Sequence, residues 1–419
     1  MISSSLSVKS HHSTAMAVSF AAGAAAASLI CSFWITSKSR KARQKNDVGG
    51  EVKKESSSIR VHDAESHCWK IVEQSLTGAL IYVMDKLDLY ETLWTIGPAS
   101  TVDIAAHTGY SERWLTELLS QATAAGFCEY DGTTHKFTLR ATYAPFLRGP
   151  EQEKRSLAGM FEVLHELVGS RPDATIAAAT NGGIGVDYDF GNLTVDGLDR
   201  KNRNFFLYNL MPDIIDKVKI PSTGEPLVDM LKRGGVNVAD IGCGCGTSTV
   251  VLAKAFPKCQ FYAYESSIKS LKVLEDRIQT NKLGNITLCN VAESTLVDGP
   301  EFAFVYSHDL LHDMVDPRSL IKDVHCRLAP RGGSCWVVVD VKCKPTLEEN
   351  LTNRAAATNY GFSCLLCLSC ATSCPHAEGL GTMGFHTALA HQWMTDAGFE
   401  HFEEIEIKSK PDNSCFIVA

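Results

Sequence analysis

The chain has 419 residues and a formal net charge of −8; 45% of residues are hydrophobic, 21% are charged and 15 are cysteines. That length gives room for two or three domains and a large core, while Gly 31 and Pro 14 exclude a collagenous or low-complexity chain. The negative balance argues against broad nucleic-acid binding, which needs a basic face, and an odd cysteine count excludes a fully paired disulfide framework.

After a short tail over 1–14, Ala15–Thr36 carries no charged residue and is long enough to cross a bilayer as a helix. Lys38, Arg40, Lys41, Arg43 and Lys45 follow it, so the positive-inside rule predicts a single-pass anchor with the catalytic body in the cytosol. An organelle transit peptide is the alternative, because no acidic residue precedes Asp47. Residues 37–61 read as a polar, flexible linker.

Residues 62–150 read as a compact helical unit. Ile71, Leu76, Leu80, Val83, Met84 and Leu87 recur at helical spacing up to a break at Gly97-Pro98. Helices are expected over Val102–His107 and from the cap Ser111, the second with Trp114, Leu115, Leu118 and Leu119 on one face. Strands Phe127–Tyr130 and Lys136–Leu139 around Asp131-Gly132 complete a winged helix. A DNA-reading helix wants basic residues on its outer face. This one offers Glu112, Arg113, Thr116, Glu117 and Gln121, so dimerisation and cover for a neighbouring site are the better reading. A helical lid is expected over 151–235, with a stripe of Leu157, Met160, Phe161, Leu164 and Leu167 and an aromatic helix carrying Phe205 and Phe206.

From 236 to 419 the pattern changes to alternating strands and helices. Val236–Asp240 is a buried-strand run ending in an acid, followed by Gly242, Gly244 and Gly246 and then by a helix. The spacing fails the dinucleotide G-x-G-x-x-G fingerprint, because the third glycine would fall on Thr247. Further strands end at Glu265, before Glu293, and at His308-Asp309, which predicts a parallel, doubly wound sheet with a ligand across its strand ends.

These residues resemble the class I S-adenosylmethionine-dependent methyltransferases in VADIGCGCGTST, YAYE, YSHDLLHDMVDP and LAPRGGSCWVVVD. Within that family the chain is similar to the mycobacterial-type subgroup with an N-terminal winged helix, in LHDMVDP, NYGFSCLLC and EGLGTMGFHTAL. The resemblance implies an α/β Rossmann-like methyltransferase sheet behind a winged helix and helical lid, with a substrate-lid insert at about 345–385. It also implies S-adenosylmethionine as cofactor and a small-molecule acceptor. Asp240, Gly242, Gly244 and Gly246 would hold its methionine part, Glu265 its ribose, and Glu293 would lie near the adenine. His308 and Asp309 would close the pocket. His312 would be the base that deprotonates the acceptor, as in plant O-methyltransferases with a similar His-Asp-Trp segment. A winged-helix transcriptional regulator and a catalytically silent cofactor-binding scaffold are the alternatives, and a homodimer is the expected assembly.

Cys364, Cys367, Cys370 and Cys374 follow the spacing of bacterial iron-sulfur ligands. Their apolar, helix-favouring surroundings point instead to a helix facing the substrate pocket, so no metal is expected.

Overall fold

A computed structural model describes residues 61–180, 182–188, 195–329 and 333–419. The anchor and residues 37–60 of the linker therefore lie outside the described residues. Among the described residues, no helix is long and apolar enough to cross a membrane. Residues 65–419 form one compact unit.

The winged helix comprises α1 (Val61–Lys86), α2 (Leu89–Ile96), α3 (Thr101–Thr108), α4 (Glu112–Ala124) and the antiparallel pair β1 (Cys128–Asp131) and β2 (Lys136–Leu139). Ser100 starts α3 through a reciprocal capping box with Asp103, satisfying amides that the first turn leaves unpaired. Ile81, Met84, Leu93, Leu115, Leu119 and Phe137 pack its core. Two expectations are corrected here. Trp114 is 71% exposed, because Leu115, Leu118, Leu119 and Ala122 form the buried face of α4. Ile71 and Leu76 are exposed as well, and burial along α1 begins near Ile81. The wing turns through a longer loop than the Asp-Gly pair suggests: Asp131 accepts from the Thr133 amide and the Thr134 hydroxyl, and His135 takes φ 56°.

Next come α5 (Ala158–Ser170), α6 (Pro172–Thr180) and α7 (Val195–Tyr208). The face that α5 buries is not the expected stripe, since Leu157 and Leu164 are exposed while Gly159, Glu162, Val163 and Leu167 are inside. The cause is close packing against α7, where a Cβ on Gly159 would lie 2.4 Å from the Lys201 backbone nitrogen. Glu162 is tolerated there because Lys86 of α1 and Arg200 of α7 both pair with it, and Arg200 also holds Asp85 at 2.8 Å. Gly159→Ala is expected to cost about 1–3 kcal/mol by overpacking. A melting temperature equal to wild type would contradict the close approach.

The seven-stranded sheet has the order β5-β4-β3-β6-β7-β9-β8. Its strands are β3 (Asn237–Ile241), β4 (Gln260–Glu265), β5 (Ile286–Asn290), β6 (Phe304–His308), β7 (Cys335–Val341), β8 (Phe402–Ile405) and β9 (Asn413–Val418). The first five are parallel, as expected, but β9 runs antiparallel to both β7 and β8, so the all-parallel expectation is corrected. A short loop joins β8 to β9, and only an antiparallel pair can be joined that way. Side chains alternate along β7: Val337 and Val339 enter one core, Trp336 and Val338 the other. Helices α8 (Thr247–Ala255) and α9 (Ile268–Asn281) follow β3 and β4, α10 (Pro317–Arg327) follows β6, and α11 (Ala356–Phe362) and α12 (Thr387–Ala397) lie between β7 and β8. Ile241 stands opposite both Tyr264 and Ser307, so β3, β4 and β6 end together at one edge.

Candidate active site

A cavity of about 1020 Å³ opens along that edge. This is at the upper end for a single drug-sized ligand, so it has room for two small molecules side by side.

The glycine loop forms one wall. Gly242 and Gly246 adopt φ 68° and 70°, and a Cβ on them would meet Leu310 at 2.8 Å and Leu274 at 2.3 Å. Gly244 also has positive φ (54°), but nothing lies within 4 Å of where its Cβ would be, so its backbone borders open space. The loop's end is tied down by residues that sequence reasoning missed. Thr247 donates to Asp199 at 2.7 Å, and Arg277 of α9 bonds Asp199, Thr247 and the Cys245 carbonyl. Burial pushes the Asp199 carboxyl up, but Arg277 outweighs it and holds the group below its usual range.

Asp240 is 2% exposed and accepts from Ser248 at 2.7 Å and Thr249 at 2.6 Å. Burial pushes its carboxyl up to about 6; the two hydroxyls oppose that rise and Glu265 adds to it. Both of these partners are hydroxyls, and no cation pairs with Asp240 among the described residues. Glu265 lines the same wall; its Oε1 accepts the Ser266 and Ser267 amides and its Oε2 the Gly244 amide. A carboxylate has about four acceptor sites, so Oε2 keeps capacity for one more donor. Glu293 is exposed and is not among the residues lining this cavity. The turn after β5, closed by the Glu293 and Ser294 amides on the Asn290 carbonyl, brings Val291, Thr295 and Leu296 to the cavity instead.

The opposite wall begins where β6 ends. His308 is buried between Phe205 and Phe206, with the Tyr306 hydroxyl 2.8 Å from Nδ1 and Lys410 Nζ 2.8 Å from Nε2. Burial, reinforced by Lys410, pushes its pKa down to about 3. Asp309 adopts φ 51° and accepts from Asn413 Nδ2 at 3.0 Å. His312 is 3% exposed; its Nδ1 is hydrogen-bonded to Asp340 at the end of β7, and Asp313 Oδ1 lies 3.1 Å from Nε2. Burial alone would lower the His312 pKa, but Asp313 and Asp340 together raise it well above its ordinary value. Asp340, absent from the expected site, is the acid that closes the CWVVVD strand, and its place at a strand end was the available signal.

The four cysteines do not converge. Cys364 and Cys374 are exposed, whereas Cys367 and Cys370 are buried and line the cavity from the π-helical turn Ser363–Cys367 and the short helix after it. Burial, with Asp313 adding to it, pushes the Cys367 thiol up to about 11.

Residues 239–334 match the family described as Methyltransferase domain, and residues 76–148 match the Rv2258c-like winged HTH domain. The chain carries a methyltransferase domain behind a winged helix. A curated relative, (S)-coclaurine N-methyltransferase of Papaver somniferum, is 27% identical over 92 residues, which is 22% of this chain and 26% of that protein. The match therefore spans about a quarter of the relative's length. Among solved structures, an O-methyltransferase family protein from Burkholderia thailandensis superposes with TM-score 0.58 at 15% identity, covering 86% of this chain and 98% of that one. Human N-acetylserotonin methyltransferase in complex with SAM gives 0.55 at 13% identity, covering 87% and 99%. At these identities the likeness establishes the fold of the methyltransferase domain and of the units before it.

Proposed function

We propose that the chain is an S-adenosylmethionine-dependent methyltransferase acting on a small-molecule acceptor. One observation carries this reading: a single cavity is lined by the glycine loop with Asp240 and Glu265 and also by His312, whose Nδ1 is held from behind by Asp340. The sulfonium cofactor supplies an activated methyl group. Asp240, buried without a cation, would pair with its ammonium, the exposed backbone edge at Gly244 would take its methionine part, and Glu265 would accept from its ribose.

Methyl transfer is an in-line displacement, so the chain's main task is alignment inside a closed cavity. A hydroxyl acceptor also needs a base, and His312 is the histidine held in place for it by Asp340. Asp313 and Asp340 raise the His312 pKa above that of an ordinary imidazole, so its basic form is reached at higher pH than a free histidine's would be. Asp313→Asn removes one of the two carboxylates and is expected to move the His312 titration to lower pH, read by imidazole NMR. An unmoved titration would count against Asp313 as the group that controls this base.

The domain limits expected from the sequence are retained, with the winged helix as a packing element: Arg113 on α4 is already paired with Glu117 at 2.5 Å. The exposed Trp69, Ile71, Val72 and Leu76 on α1 favour a homodimer through that helix. Ala15–Thr36 is proposed as a membrane tether. Calorimetric titration with S-adenosylhomocysteine tests the central reading, and absence of saturable binding would sink it. Mass-spectrometric screening for a metabolite gaining one methyl group would then identify the acceptor.

A further inference from the structure

Two lysines line the cavity and have no role in the mechanism above: Lys201 on α7 and Lys410 in the β8–β9 loop. Lys410 Nζ sits 2.8 Å from His308 Nε2 and 4.5 Å from the centre of the Phe205 ring. Lys201 Nζ lies 3.9 Å from Asp309 Oδ2 and 5.8 Å from the Phe362 ring centre. Counting charge in this corner leaves a surplus. His308 is neutral across the physiological range, so it offers Lys410 a lone pair but no negative charge. Among the described residues Asp309 is the carboxylate beside both amines, and Asn413 already occupies its Oδ1. Asp412, in the same loop, is exposed and makes no ion pair among the described residues. Two amines thus share one carboxylate in a partly buried place, where unpaired charge is costly. Burial, with Lys201 adding to it, has pushed Lys410 down to about 8, which an anion arriving beside it would reverse.

The sheet order says which ligand this corner faces. The glycine loop follows β3 and Glu265 ends β4, so the proposed cofactor groups lie on the β3–β4–β5 side. Asp309 directly follows β6 and Lys410 lies in the β8–β9 loop, both on the other side of β3. Phe206 and Phe362, both lining the cavity, add flat apolar surface around the amines.

We propose that Lys201 and Lys410 form a cationic subsite that binds a carboxylate of the methyl acceptor, making the substrate an organic acid with an apolar or aromatic body. This rests on the methyltransferase reading and specifies its substrate class. The test uses the full-length chain saturated with S-adenosylhomocysteine and titrates in a panel of hydroxybenzoates, hydroxyphenylacetates and hydroxycinnamates, each beside its neutral primary amide. The best-binding carboxylate is expected to bind at least about tenfold more tightly than its amide. Lys410→Met should erase that preference and Lys410→Arg should keep it, with S-adenosylhomocysteine affinity unchanged in both. Lys201→Met should weaken the preference in the same direction, providing a second reading if Lys410→Met fails to fold. Equal affinity for acid and amide, no binding by any carboxylate of the panel, or a preference that survives both methionine variants would overturn the proposal. A loss of S-adenosylhomocysteine affinity in Lys410→Met would assign the amines to the cofactor's carboxylate and overturn it too. If S-adenosylhomocysteine does not bind the wild type at all, the methyltransferase reading fails on its own, and the same titrations without it still decide whether the amines select carboxylates.

Discussion

Replacing His312 with alanine is expected to lower kcat by about 10²- to 10⁴-fold while S-adenosylhomocysteine affinity stays within a factor of two or three. The split follows from position. His312 lies beyond the end of β6, and neither it nor its partners Asp340 and Asp313 hydrogen-bonds Asp240, Glu265 or the glycine loop. His312→Ala also leaves the fully buried Asp340 without its histidine, so some loss of stability accompanies it. Asp340→Asn keeps a hydrogen-bond partner for Nδ1 and provides the control, and it should lower kcat with less thermal cost. Single-turnover rates with the acceptor found by mass spectrometry would check both variants. Equal turnover by wild type and His312→Ala would remove the histidine from the chemistry and leave alignment alone.

The second large effect concerns Asp240. Its folded-state pKa of about 6 lies above the ordinary carboxylate value of 3.8, so between those limits the folded chain holds a proton that the unfolded chain has released. The contribution of Asp240 to the stability of the cofactor-free protein therefore falls as pH rises from about 4 to 6, by roughly 3 kcal/mol at 1.36 kcal/mol per unit, against the opposite trend of carboxyls held below their usual range, such as Glu162 and Asp199. Asp240→Asn keeps an oxygen for Ser248 and Thr249 but carries no charge. It is expected to flatten that dependence and to be more stable than wild type by about 1–3 kcal/mol at pH 8. The same change removes the counter-ion proposed for the cofactor's ammonium and should weaken S-adenosylhomocysteine by about 30- to 1,000-fold, equivalent to 2–4 kcal/mol. Denaturant melts at pH 4, 6 and 8 with parallel calorimetry would check this. A variant that is neither stabilised nor weakened in binding would place Asp240 outside the cofactor site.

The glycine loop, the acids at strand ends and the winged helix were legible because each depends on local pattern: glycines at fixed offsets, an acid after a buried strand, helical spacing with caps. Errors arose where distant packing decided the outcome. On α5 the apolar stripe implied one face, but the close crossing at Gly159 and the pairing of Glu162 turned another face inward. Trp114 satisfied the spacing of α4 without finding a partner surface. Lys201, Lys410, Asp199 and Arg277 were invisible for a related reason. Each acts across elements, Asp199 of α7 with Arg277 of α9 and Lys201 of α7 beside Lys410 of the β8–β9 loop, and no spacing in the chain connects the members of either pair.

The ion-pair cluster of Lys86, Asp85, Glu162 and Arg200 spans three helices, one from the winged helix and two from the lid. The winged helix is therefore not a detachable bead ahead of an enzyme. A fragment beginning after Pro150 would keep Glu162 and Arg200 but lose Lys86 and Asp85. Evolutionary exchange of the front domain in such a chain has to carry its matching charges along, which makes the two halves inherit as a pair.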